Sequence, residues 1–176
     1  MQSYLIRSSE FDTDLHEQLQ EYLPTYALYR DKLNPNYDIQ AQHHVRVCSQ
    51  FSNVKSFLHQ KPDLAKALNA TGVHLSSSQF DKIEYSKSLG LEVIVSTHTH
   101  EEVLKAQALG ADCVVYSPIF SSPGKGKPKG IQDLISLVKK TDIKVFGLGG
   151  VVDEKQIKEI ESSGAYGFAS IRYFYK

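Results

Sequence analysis

The chain has 176 residues, with 20 lysines and arginines balanced by 20 aspartates and glutamates and seven histidines. That length suits a single domain over residues 1–176 with a sizeable core, and a formal net charge of zero argues against a polyanion such as nucleic acid as partner. Two cysteines, Cys48 and Cys113, stand apart with no CxxC and no Cys/His cluster at zinc spacing, which argues against a disulfide scaffold. The opening MQSYLIRSSEFDTD has no cationic start leading into a long apolar run. No apolar stretch reaches the roughly 18 residues of a membrane span. The expected location is the cytoplasm, with no membrane partner.

In chain order, eight short apolar runs recur: SYLIR (3–7), TYALYR (25–30), SFLHQ (56–60), GVHLS (72–76), EVIVST (92–97), CVVYSP (113–118), KVFGLG (144–149) and GFASI (167–171). Between them, helical spacing marks DLHEQLQEYL (14–23), HTHEEVLKAQALG (98–110), IQDLISLVKK (131–140) and DEKQIKEIESSG (153–164). In the second of these, Val103, Leu104, Ala106, Ala108 and Leu109 form an apolar stripe and Gly110 is placed as the stop. Runs such as VIV and CVVY are too short for helices and do not alternate, as expected of parallel strands covered on both faces. Repeated strand-loop-helix units predict an α/β fold, a compact (β/α)8 TIM barrel of about 22 residues per unit, with an open doubly wound sheet as the alternative.

In such a barrel the chemistry belongs at the C-terminal ends of the strands. That rule selects Arg30, Lys32, His59, Gln60, His74, Ser76, Ser77, Ser96, His98, Lys125, Gly149, Gly150 and Ser170. Gly149 and Gly150 end an apolar strand ahead of a helix, where amides can approach an anion closely and the helix N-terminus adds favourable electrostatics. The loop SSPGKGKPKG (121–130) carries three lysines, of which Lys125 is the candidate for a phosphate and Lys127 and Lys129 are expected in solvent. His98, at the fifth strand exit, can exchange protons near neutral pH. His74 reads as a structural histidine, and His43, His44 and His100 as surface residues without the further ligands a metal needs.

Several segments together resemble the thiamin phosphate synthase/TenI barrels: YALYRDK (26–32), HQKPDLAKALNATGVHL (59–75), VSTHTHEEVLKAQALGADCVVYSPIF (95–120) and FGLGGV (146–151). The resemblance covers most of the chain and implies a TIM barrel engaged in thiamin thiazole chemistry. One branch joins a pyrimidine diphosphate to a thiazole phosphate with release of pyrophosphate. The other, TenI-like, includes thiazole tautomerases.

The synthase branch uses Mg²⁺ held by carboxylates, and where its pattern has Asn-Asp after the third strand this chain reads His59-Gln60. Where the pattern has Gly-Gln-x-Asp after Val-His-Leu, the chain reads Ser76-Ser77-Ser78-Gln79. Those replacements point to the TenI-like isomerase branch, with no metal and no cofactor; Mg²⁺ enters only with the synthase alternative, and a non-catalytic phosphate-binding barrel is a third reading. The resemblance implies phosphate binding by Gly149, Gly150, Ala169 and Ser170 and proton transfer by His98. Substrate contacts would come from Arg30, Lys32, Ser96, Ser122 and Lys125, with Arg30 and Lys32 on a carboxylate. The partner is a small phosphorylated thiazole, and a homodimer stays open.

Overall fold

The computed structural model describes residues 1–8, 10 and 13–175. Its strands are β1 (Gln2–Arg7), β2 (Tyr26–Tyr29), β3 (Lys55–His59), β4 (Gly72–Leu75), β5 (Glu92–Thr97), β6 (Cys113–Tyr116), β7 (Lys144–Leu148) and β8 (Gly167–Ser170). All eight are parallel and close in chain order, with β1 paired to both β2 and β8, so the sheet is a (β/α)8 barrel and the open-sheet alternative falls. The helices between them are α1 (Leu15–Tyr22), α2 (Tyr37–Cys48), α3 (Pro62–Ala67), α4 (Ile83–Ser88), α5 (His100–Ala108), α6 (Ile131–Val138) and α7 (Glu154–Ser162). No helix among the described residues is long and apolar enough to cross a membrane.

Strand residues are apolar on both faces because both faces are covered. One set, including Leu5, Ala27, Leu58, Val73, Val93, Val114, Val145 and Phe168, meets the helices in the larger core cluster. The alternate set, Tyr4, Ile6, Tyr26, Leu28, Phe57, Ile94, Cys113, Val115, Phe146 and Ala169, fills the barrel. Tyr4, Tyr26, Phe57 and Phe146 pack ring against ring there, with Tyr26 and Phe146 edge to face at 5.1 Å. Such contacts add about 0.5–1.5 kcal/mol per pair beyond burial. These rings need space, which glycine supplies. A Cβ on Gly72 would lie 2.4 Å from the Phe57 ring, and one on Gly167 would lie 2.6 Å from that of Phe146.

Three helices escape the sequence reading for physical reasons. The longest, α2, buries Tyr37, Ala41, His44, Val45, Val47 and Cys48, a face interrupted by a histidine and a weakly apolar alanine. The expectation of a surface His44 is corrected: it is 2 % exposed, bonds the Ala27 carbonyl through Nε2 at 3.1 Å, and burial drives its pKa down to about 4. The other two, α3 and α4, have six residues each, too few for a periodic stripe to show. In α5 the predicted stripe keeps Val103 and Ala106 buried and Leu109 packed against the core, with Leu104 and Ala108 exposed, while Gly110 ends the turn at φ +87°.

Candidate active site

The C-terminal ends of the strands surround a cavity of about 890 Å³. Ile6, Leu28, His59, His74, Ser96 and Leu148 are among its lining residues, all drawn from strands. From the loops come Arg30, Lys32, His98, Ser122, Lys125, Gly149 and Gly150, with Ser170 from the end of β8 and Arg172 from the turn that follows it. Every residue that the resemblance assigns to the site, except Ala169, therefore meets at one mouth. Ala169 is fully buried inside the barrel, paired in register with Tyr4 and Leu148, and its place at the rim passes to Ser170, Ile171 and Arg172. Arg172 was legible by the strand-end rule but was not selected.

Between β6 and β8 the mouth is built from backbone. Gly149 and Gly150 have left-handed φ values of +103° and +71°. A Cβ on Gly149 would lie 2.8 Å from Pro118, and one on Gly150 would lie 2.4 Å from the Ser121 carbonyl oxygen, so only glycine fits both the dihedrals and the space. The loop after β6 is clamped over this turn: Ile119 N–H donates to Leu148 O at 2.8 Å and Phe120 N–H to Gly149 O at 2.9 Å. The amides of Gly149, Gly150 and Ile171 have no backbone partner among the described residues. Donors left free beside glycines are what an anion requires. The Ser170 hydroxyl donates to Val151 O at 2.7 Å and accepts from Tyr173 N–H, so it braces the rim. The N-terminus of α7 does not contribute as expected, because Asp153 and Gln156 close a capping box on it and Gln156 also takes the Val152 amide.

Across the mouth the lining is made of side chains. Arg30 follows β2, and burial lowers its pKa without threatening its charge. The pKa of Lys32 is lowered by Arg30 first, then by burial and by Lys125, so the three cations feel one another across the opening. Of the three loop lysines only Lys125 lines the mouth; Lys129 lies over the Tyr116 ring at 5.0 Å. Such mutual repulsion is relieved when an anion binds among them.

Three histidines line the same space. His98 lies between β5 and α5, its Nδ1 3.2 Å from the Ser117 carbonyl. The Ser117 hydroxyl also lies 3.4 Å from Nδ1; the shorter contact, to a carbonyl that only accepts, favours the tautomer with the proton on Nδ1 and the Nε2 lone pair open to the mouth. His59 is buried, and desolvation followed by the charges of Arg30 and Lys32 pulls its pKa down to about 4. His74 is held well below the usual histidine range by burial, then by His59 and Arg30. It bonds Tyr4 and Ser96, so the structural role read for it stands, although it also lines the mouth. His100 sits half-buried beside Asp133 at 3.3 Å, away from the mouth and not free on the surface.

The Mg²⁺ that one branch of the family implies finds no carboxylate set here. His59, Gln60, Ser76 and Ser77 occupy the exits of β3 and β4, and Asp63 accepts from Tyr85 on the outside. Two carboxylates among the described residues line the mouth: Asp31 is 8 % exposed and accepts from Tyr29 and Asn34, and Glu10 acts on the charge of Arg30. No group of three or more His, Cys, Asp or Glu suited to a metal occurs among the described residues. With Asp31 held by Tyr29 and Asn34, Glu10 acting on Arg30, and imidazole and hydroxyl groups at the exits of β3 and β4, the lining does not fit a hard dication.

The family model described as thiamine monophosphate synthase matches residues 3–174. A putative thiamine-phosphate synthase 2 of Aquifex aeolicus is 35% identical over 134 residues, covering 74% of this chain and 71% of that protein. The thiamine-phosphate synthase of Bacillus licheniformis is 34% identical over 131 residues, covering 71% of this chain. This chain spans 57% of the length of that relative. Among solved structures, the thiamine phosphate pyrophosphorylase of Pyrococcus furiosus superposes with a TM-score of 0.80 at 23% identity, over 97% of this chain and 85% of its own, a likeness of fold. With a family model covering nearly every residue and a barrel of the same form, the chain belongs to the thiamine monophosphate synthase (TMP-TENI) family.

Proposed function

We propose that the mouth binds a phosphorylated thiazole and joins it to a pyrimidine diphosphate, forming thiamin phosphate with release of pyrophosphate. Relatives named as thiamine-phosphate synthases support this transferase reading over the isomerase expected from the sequence. The observation that carries it is the meeting in one cavity of two groups suited to anions, the Gly149-Gly150 turn and the cations Arg30, Lys32 and Lys125. An isomerase acting on one phosphate needs the first zone. A transferase expelling pyrophosphate needs both, because the leaving group takes an electron pair and its negative charge must be met as it departs.

The thiazole phosphate docks on the free amides of Gly149 and Gly150, with Ser170 holding the rim in place. Arg30, Lys32 and Lys125 take the diphosphate, which matches the repulsion they feel when nothing lies between them. The charge is met by side-chain cations from the exit of β2 and the loop after β6, and no step is assigned to a metal. The uncharged floor formed by Ile6, Leu28 and Leu148 receives the rings and excludes water.

Incubation of the purified protein with both precursors, with and without added Mg²⁺, tests the reading by the appearance of thiamin phosphate. Formation of product that is lost in Lys125→Ala supports it, and absence of product under both conditions removes it.

A second reading, thiazole tautomerisation, is favoured by one observation: the tautomer of His98 leaves Nε2 free to take a proton in the mouth. It expects ring isomerisation of a thiazole carboxylate phosphate without pyrimidine, lost in His98→Ala. An unchanged rate in that variant excludes it.

A further inference from the structure

Tyr4, His74 and Ser96 form a chain of hydrogen bonds leading from the aromatic interior of the barrel to the mouth. The Tyr4 hydroxyl lies 2.9 Å from His74 Nδ1, and His74 Nε2 lies 2.8 Å from Ser96 Oγ. Tyr4 is fully buried and His74 is 3 % exposed, whereas Ser96 is only partly buried and lines the cavity. We propose that Tyr4 and His74 are positioning residues that make Ser96 an obligate hydrogen-bond donor, so that the site selects a ligand presenting an acceptor atom to it.

The direction of the chain follows from counting protons. A neutral imidazole has one N–H and one lone pair, so the chain runs one way or the other. If Ser96 donated to Nε2, then Nδ1–H would donate to Tyr4, and the phenolic proton would need a further acceptor. None exists: the only hydrogen-bond partner of Tyr4 among the described residues is His74, and its neighbours are the rings of Tyr26, Phe57 and Phe146. A buried hydroxyl proton left unpaired costs about 1–3 kcal/mol. The opposite direction leaves nothing unpaired inside. Tyr4 donates to Nδ1, Nε2–H donates to Ser96 Oγ, and the serine proton is directed at the cavity, where a ligand or water accepts it.

His74 stays neutral throughout because burial, His59 and Arg30 all oppose a second proton on it. The polarity of the chain therefore does not change across physiological pH. A serine without this arrangement could spend its proton on His74; here the proton is always offered to the cavity. Ring nitrogens and phosphoryl or carboxylate oxygens are the atoms that accept it.

The inference rests on the mouth being a ligand site, as proposed above, but its first test needs no ligand. Nitrogen-15 spectra of the labelled wild-type protein should show His74 as the Nε2–H tautomer, with an unprotonated Nδ1, unchanged between pH 8 and pH 6. The Nδ1–H tautomer, or an imidazolium at pH 7, overturns the proposal.

The second test measures thiazole phosphate affinity. Ser96→Ala and Tyr4→Phe should each weaken it roughly three- to tenfold, the worth of one neutral hydrogen bond. Tyr4→Phe should also shift the His74 nitrogens, which a merely packing role would leave in place. The double variant should bind no worse than the single ones, because both remove the same interaction. Additive losses overturn the coupling. Failure of the wild type to bind thiazole phosphate defeats the proposed function, while the tautomer measurement still decides this inference.

Discussion

The two sides of the mouth solve the same electrostatic problem with different materials. On the β7/β8 side the lining is backbone, with Gly149 and Gly150 in left-handed conformation and clamped by the loop after β6. Elsewhere the lining is made of long cationic side chains, Arg30 and Lys32 after β2 and Lys125 in the loop after β6, with the buried histidines His59 and His74. Backbone donors are pre-organised and tolerate no side chain, whereas lysine and arginine must be ordered when the ligand arrives. The first arrangement sets geometry; the second supplies charge. Changes on the glycine side should therefore damage fold and binding together, and changes on the cationic side binding alone.

Gly150→Ala is expected to have the largest effect. Its Cβ would meet Ser121 O at 2.4 Å and Phe120 at 2.7 Å, at a φ of +71°. Strain and overpacking should cost roughly 1–3 kcal/mol in stability, read by thermal melting, with phosphate binding lost in calorimetry. Unaltered binding in this variant would break the contrast between the two sides.

Lys125→Ala should leave melting unchanged, since this side chain is exposed in its loop, and weaken pyrophosphate binding by about 1.5–3 kcal/mol, roughly ten- to a hundredfold. Raising the salt concentration should shrink the difference between variant and wild type. If it lowers the melting temperature instead, the lysine belongs to the scaffold.

The buried histidines add a pH dependence. His44 and His59 have folded pKa values of about 4 against an ordinary value near 6.5. Between those values the unfolded chain binds more protons than the folded one, so stability is complete above about pH 6.5 and falls as pH drops toward 4. Melting temperatures measured from pH 7.5 to 4.5 should decline accordingly. His44→Gln, which keeps a donor for the Ala27 carbonyl, should flatten the slope, and an unchanged slope would remove His44 as a cause.

The smallest effect is expected from Gln60→Asp, which places a carboxylate at the exit of β3, where the family pattern has one. Product formation in the variant should show a modestly greater Mg²⁺ stimulation than in the parent chain. Equal stimulation in both would mean that the parent already holds the metal through other groups.

Strands and mouth were legible because their signals are local. Each strand is a short apolar run covered on both faces, and strand ends point to one side of a barrel, so Arg30, Lys32, Ser96, His98, Ser122, Lys125 and the two glycines could be gathered without coordinates. Helix α2 was hidden because its buried face includes His44, whose satisfaction depends on a carbonyl of β2 far away in sequence. Ala169 was misplaced at the rim by one residue. In a strand a shift of one turns a side chain from the rim or helix layer into the barrel interior.

By itself the sequence determined the barrel, the family and the glycine turn, since apolar periodicity, turn residues and ordered motifs are properties of neighbouring residues. Only the tertiary structure decided which groups share the mouth, that its cations face one another without a metal-binding acid set, and which way protons run from Tyr4 to Ser96. Those facts depend on burial and on distances between strands remote in the chain, and burial is what holds a histidine neutral and denies a phenol a second partner.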